Sequence, residues 1–184
     1  MTTETLVLPP RPSRPVVLPD PGTYRTRPGR CVFELRAAAG PLTTLCGRFA
    51  VLDTSLVVDE DERRTHMTIE ASARSLRTTR PLATRRLTGP RGLAVRQHRV
   101  IRFESTGFDS REPGRITMPG TLHLRGEEIP LTLDSRVVGR GRDRLLILGT
   151  GRLDYGALRA ATAFRLPWTV PAGHLRVLLA ADFR

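Results

Sequence analysis

Histidines at 66, 98, 123 and 174, two cysteines and a thin scatter of carboxylates are the residues of this chain with chemistry to offer. His66, His98, His123 and His174 form no His-x-x-x-His or His-x-His set, so no two imidazoles share one face of a local element, as zinc ligands usually do. They read as polar-face or strand-end residues. Ser105 and Asp154 have the types of a nucleophile and an orienter, but no Gly-x-Ser-x-Gly elbow presents the serine and no histidine adjoins either. The run Asp59-Glu60-Asp61-Glu62 reads as a solvated hairpin loop rather than a cation site. Cys31 and Cys46 lack Cys-x-x-Cys spacing, which suggests neither a zinc site nor a disulfide framework but small, half-buried strand residues. The expectation is a protein that is not an enzyme, with no catalytic residues, no metal and no dedicated cofactor.

Charge is the stronger signal. All 30 basic side chains are arginine, lysine and asparagine are absent, and the net charge of +12 suits a polyanionic partner, either an anionic membrane surface or nucleic acid. A high-GC coding sequence would leave the same arginine-rich imprint without any function. Nucleic acid is disfavoured, because aromatics are only 5% of residues and most fall on the apolar side of their segments, so a base-stacking platform is missing. The stretch Arg77 to Arg96, with Arg80, Arg85, Arg86 and Arg91, is where anionic head groups would be met.

These residues need elements to hold them. Gly120 to Leu133 reads Gly-Thr-Leu-His-Leu-Arg-Gly-Glu-Glu-Ile-Pro-Leu-Thr-Leu. Ile116, Met118, Leu122 and Leu124 share even parity, Ile129, Leu131 and Leu133 share odd parity, and an Arg-Gly-Glu-Glu turn lies between, as in a β-hairpin with one apolar face. Phe33 with Leu35, Met67 to Ala73, Ile101 with Phe103, Arg144 to Leu148 and Leu175 to Phe183 repeat the pattern. Phe164, Leu166, Trp168 and Val170 form a further set of one parity. Phe49 and Leu52 sit on opposite parities, which predicts a β-bulge between them. Arg77 to Arg96 breaks the alternation and is the expected place of the one short helix. Residues 1–21, with six prolines, read as an extended mobile tail ahead of a single domain over 22–184. Prolines interrupt every apolar run near the start, and no stretch approaches the roughly 18 consecutive apolar residues of a membrane span, so a cytoplasmic protein is expected.

About eight or nine strands at short spacing with one helix predict an all-β fold, a barrel or a sandwich. An antiparallel, lipocalin-like barrel of about eight strands would leave no exposed edge, and its lumen could hold one elongated ligand or be filled by side chains.

The wording of the segments resembles the YceI family of lipocalin-like barrels from about Gly22 to the C-terminus. The central hairpin is similar to that family's Gly-x-Leu-Thr-Leu-Arg-Gly-x-x-x-Pro-Val-x-Leu. Around it stand Gly47-Arg48-Phe49, Ile101-Arg102-Phe103-Glu104-Ser105 and Arg152-Leu153-Asp154-Tyr155-Gly156. The resemblance implies non-catalytic binding of a polyisoprenoid, isoprenoid quinone or fatty-acyl chain, the only cofactor-like partner expected. Phe33, Leu35, Phe49, Ile101, Phe103, Leu122, Leu124, Leu131 and Leu133 are then the candidate ligand wall. The chain departs from the family at the presumed mouth. Arg27-Pro28-Gly29-Arg30-Cys31 stands for Asp-Pro-x-His-Ser, and Ala83-Thr84-Arg85-Arg86-Leu87 for Arg-Asp-x-His-Leu. Arg30, Arg85 and Arg86 are accordingly the candidate head-group residues, favouring an anionic head. The alternative is a ligand-free barrel serving as a basic interaction module. Homodimerisation stays open.

Overall fold

The computed structural model describes residues 18–61, 64–110, 114–141 and 144–184. Eight strands follow one another around a closed antiparallel barrel: β1 (Gly22–Ala39), β2 (Leu42–Val58), β3 (His66–Thr78), β4 (Val100–Ser105), β5 (Arg115–Leu124), β6 (Glu127–Gly141), β7 (Arg144–Asp154) and β8 (His174–Phe183). Pairing of β1 with β8 closes the cylinder, so every strand edge has a partner. The apolar sets point inward: Met67, Leu122, Val177 and Phe183 are all fully buried. The predicted bulge is present, as register shifts in the β2–β3 ladder between Arg48 and Ala50 and between Val51 and Asp53. Burial along β2 accordingly moves from odd positions before it (Leu45, Phe49) to even positions after it (Leu56, Val58).

The central hairpin is β5–β6, with Met118 opposite Leu133 and Leu122 opposite Ile129. Its turn is tighter than the four residues expected. Leu124 pairs with Glu127, and Arg125 and Gly126 both take positive φ (58° and 83°), a type I′ turn whose twist matches the strands. Gly120 is required by packing. A Cβ there would lie 2.8 Å from the Phe103 ring and 2.3 Å from the Glu104 carbonyl oxygen.

Helix α1 (Pro81–Thr88) lies inside the arginine-rich stretch, as expected. Pro81 occupies its first turn, and Ala83 and Leu87, four apart, are its buried residues. A second helix of equal length, α2 (Tyr155–Thr162), corrects the expectation of one. Asp154 caps it, its carboxylate accepting from the Ala157 amide at 2.7 Å. The set Phe164 to Val170 is also corrected: it forms no strand, and of its members Phe164 and Val170 are buried while Trp168 is 84% exposed.

Residues 1–17 of the expected tail lie outside the described residues. Leu18 is half-buried and packs against the barrel core, and Pro19 is buried, so packing begins ahead of the expected boundary at 21.

Candidate functional site

One end of the barrel carries both helices. The α1 segment (79–99) joins β3 to β4 and the α2 segment (155–173) joins β7 to β8, so both cover the same opening. Hydrogen bonds to and from the backbone tie this cap together. The Arg165 amide donates to the Arg91 carbonyl at 2.8 Å, and the Leu166 amide donates to the Tyr155 hydroxyl at 2.8 Å. Arg125, in the hairpin turn, donates to the carbonyls of Pro90 and Gly92. The organising hairpin thus also holds the loop that follows α1.

Beneath this cap lies a cavity of about 30 Å³ lined entirely by apolar residues and a glycine. Its walls come from strands, with Leu35, Ala37, Leu45, Phe49 and Leu175, and its roof from Leu87, Leu93, Phe164 and Leu166 of the capping segments. A volume of this size holds about one or two waters, far below the roughly 300–1,000 Å³ of ligand pockets. A cavity of this size does not hold a lipid chain as it stands.

Of the nine residues expected in the ligand wall, Leu35 and Phe49 line that cavity. Phe33, tilted against Phe49 with ring centroids 5.9 Å apart, and Ile101, Phe103, Leu122, Leu124, Leu131 and Leu133 are buried in the packed core. The interdigitation is visible at Gly151, where a Cβ would come within 2.6 Å of Leu131 and 2.8 Å of Leu133. Leu87 and Leu93 escaped sequence reasoning because they lie in a helix and a loop, where no period-2 signal marks an inward position, whereas Phe164 and Leu166 carry that signal in a segment that forms no strand.

The three head-group arginines do not come together. Arg85 and Arg86 stand exposed on α1. Arg30 stands toward the other end, where it donates to Asp182 at 3.1 Å alongside Arg144 at 2.7 and 2.9 Å. That cluster, on the outer face, holds the buried Asp182 carboxyl below its usual range, chiefly through Arg144. A similar outward cluster sits on β1 and β2. Arg36 and Arg48 each donate two hydrogen bonds to Glu34, at 2.7–3.1 Å. Burial pushes the Glu34 carboxyl up, but these bonds outweigh it and leave it lowered. These acid–arginine groups tie strands together on the barrel wall rather than face the lumen.

The other polar residues are also placed. Ser105 accepts from the Met67 amide at 2.7 Å, a structural bond inside the barrel, and Asp154 is spent on its helix cap. His123 lies beside Glu104, with Nε2 3.4 Å from the carboxylate, and His174 is buried at the start of β8. Burial, with Arg152 and Arg176 nearby, pushes His174 below its ordinary value. Burial pushes the Cys31 thiol up to about 11 and raises that of Cys46 as well, which keeps both protonated and poorly nucleophilic. Among the described residues no three His, Cys, Asp or Glu side chains gather as a metal site would require.

A family profile for the YceI-like domain matches residues 25–170, most of the barrel. The chain belongs to the YceI-like family. Solved structures agree in fold. BcnA of Burkholderia cenocepacia is 12% identical, with a TM-score of 0.72 over 86% of this chain and 99% of that one. The Campylobacter jejuni YCEI protein is 16% identical, with a TM-score of 0.60 over 74% and 82%. A polyisoprenoid binding domain from Saccharophagus degradans implicated in plant cell wall breakdown is 11% identical, with a TM-score of 0.57 over 88% and 97%. No curated protein matches the sequence.

Proposed function

We propose that this YceI-like barrel binds one elongated apolar ligand, of polyisoprenoid, isoprenoid-quinone or fatty-acyl type, without transforming it, and takes it in through the end capped by α1 and α2. The observation that carries this reading is the construction of the apolar cavity: walls on strands, roof on short segments held by a few hydrogen bonds. Lifting Leu87, Leu93, Phe164 and Leu166 would lengthen the cavity toward Phe49 and Phe33 without breaking a rung of the barrel. Withdrawing an apolar chain from water contributes about 25 cal/mol per Å² before the cost of ordering it is subtracted. That suffices for binding with no catalytic group. Arg85 and Arg86 flank the roof, so an anionic head group left at the rim would meet cations. The fold likeness to a polyisoprenoid binding domain supports the ligand class.

The small volume of the cavity favours a second reading, a permanently filled barrel acting only through its surface. Native mass spectrometry of the purified protein, followed by solvent extraction and saturable uptake assays with quinones, prenols and fatty acids, separates the two. A co-purifying lipid or saturable uptake is expected. A bare protein that takes up none of them would leave the filled barrel.

A further inference from the structure

The charge of this chain is not spread over the barrel. The capping segments 79–99 and 155–173 together contain eight arginines and no aspartate or glutamate. The described residues of the loops at the opposite end, 59–61, 64–65, 106–110 and 114, contain four acidic residues and one arginine. The carboxylates at the capped end stand on strand ends: Glu127 and Glu128 beside the hairpin turn, and Asp154 on its helix cap. None of Arg85, Arg86, Arg91 and Arg165 forms an ion pair with a described residue.

Among these cations the cap exposes apolar side chains with no partner. Leu82 on α1 is 81% exposed and Trp168 84%, and they border one open groove of about 970 Å³ whose rim includes Arg85, Arg86, Arg91 and Arg165. Leu42, 70% exposed at the adjacent β1–β2 turn, lies at the same end. Lone exposed apolar residues need no explanation, but a tryptophan and a leucine on one groove, ringed by uncompensated arginines, mark an interaction surface.

We infer that this cap is a docking surface for an anionic lipid bilayer, with Trp168 and Leu82 entering the interfacial zone and the arginines pairing with head-group phosphates. Tryptophan is favoured at that depth because its ring is apolar with a polar N–H. Each basic residue near a negatively charged leaflet strengthens the attraction, so the surface discriminates anionic from zwitterionic lipid. A bilayer fits better than single-stranded nucleic acid, which needs a succession of exposed aromatics, whereas this groove offers one ring and an aliphatic side chain. The inference does not need the lumen to hold a ligand. If the lumen does, the roof residues Leu87 and Leu166 lie next to the docked face.

Trp168 is the only tryptophan of the chain, so its fluorescence reports this site alone. The full chain is titrated with vesicles of phosphatidylcholine alone and of phosphatidylcholine mixed with phosphatidylglycerol, some carrying brominated acyl chains. A blue shift and bromine quenching are expected only with the anionic vesicles, reversed by high salt. Arg85→Glu with Arg86→Glu should lower partitioning about tenfold or more. Leu82→Glu, at an exposed position that leaves the fold intact, should also weaken it. Arg64→Glu with Arg136→Glu applies the same change of net charge to exposed positions toward the opposite end and should move it less than about twofold. Absent vesicle association, an unquenched tryptophan, equal losses from both arginine pairs, or a Trp168 response confined to single-stranded DNA would overturn the inference. Docking without uptake of any apolar ligand would sink the binding barrel and leave this surface standing.

Discussion

The Leu166 amide donates to the Tyr155 hydroxyl at 2.8 Å, tying a residue over the apolar cavity to the first residue of α2. Tyr155→Phe leaves the ring in place and removes the acceptor, at a cost of about 1 kcal/mol. On the proposed function the roof then opens more readily. Stopped-flow uptake of a fluorescent fatty acid should be faster in the variant, with a thermal midpoint lowered by a few degrees at most. Uptake at the wild-type rate would show that the ligand does not pass this segment.

Large substitutions in the lumen should divide by position. Leu35 is half-buried and lines the cavity, so Leu35→Trp should fill it, keep the fold and abolish ligand uptake. Leu124 and Leu133 are each 1% exposed in the packed region, so Trp at either should cost about 1–3 kcal/mol or more by overpacking. Urea denaturation of the three variants beside lipid-uptake titrations gives both readouts. Equal destabilisation by all three would mean that the cavity cannot open to accept a ring.

Acid should weaken the barrel in two stages. His174 is lowered from an ordinary 6.5, and in the folded chain its Nε2 accepts from Arg176 Nε at 3.3 Å, which requires the neutral ring. The unfolded chain therefore binds the proton first, and stability is full above that ordinary value and lost as pH falls through it toward the folded one. Glu34 and Asp182 are lowered from 4.5 and 3.8, so their contribution is present above those values and is lost as pH falls below them. Chemical denaturation across this pH range should show both declines, and His174→Gln should remove the upper one. A wild-type profile flat from neutrality to about pH 5 would contradict the assignment to His174.

Glu34 is buried under Arg36 and Arg48, whose side chains remain 39% and 65% exposed. Because solvent screens the arginines, Glu34→Gln should cost about 1–3 kcal/mol rather than the larger amount of a fully buried pair. The denaturant midpoint should fall, and ligand uptake should stay unchanged because Glu34 faces outward.

Deleting residues 1–17 should leave the thermal midpoint nearly unchanged, because the four prolines there lack the amide that a strand ladder needs. Extending the deletion to residue 21 removes Leu18, which packs on the core, and the Asp20 carbonyl that accepts from the Tyr24 hydroxyl at 2.7 Å. A further drop of about 1–2 kcal/mol is expected from that step. Differential scanning calorimetry on the two truncations distinguishes them, and a large drop from the first would mean that the tail packs on the barrel.

The sequence by itself determined the all-β class: inward residues recur every second position, a property of the extended backbone that needs no tertiary partner to be legible, and the family resemblance narrowed barrel or sandwich to a barrel. It also located the central hairpin, the bulge after Phe49, helix α1 and the family. It could not tell that Phe164 to Val170 stays unpaired, because extended chain alternates its side chains whether or not a neighbouring strand accepts it. Helix α2, as short as α1, was hidden because it lacks the starting proline and the long break in alternation that mark α1, and Asp154 as cap together with the packing of Leu158 decides it. Only the tertiary structure decided how full the lumen is. That depends on side chains of non-neighbouring residues sharing one volume, such as Phe103 over Gly120 and Leu131 with Leu133 over Gly151. It alone also separated Arg30 from Arg85 and Arg86, and brought those two beside Arg165 and Trp168. Arginines look alike in a sequence, and which of them share a surface follows from how loops distant in the chain meet at one end of a closed barrel.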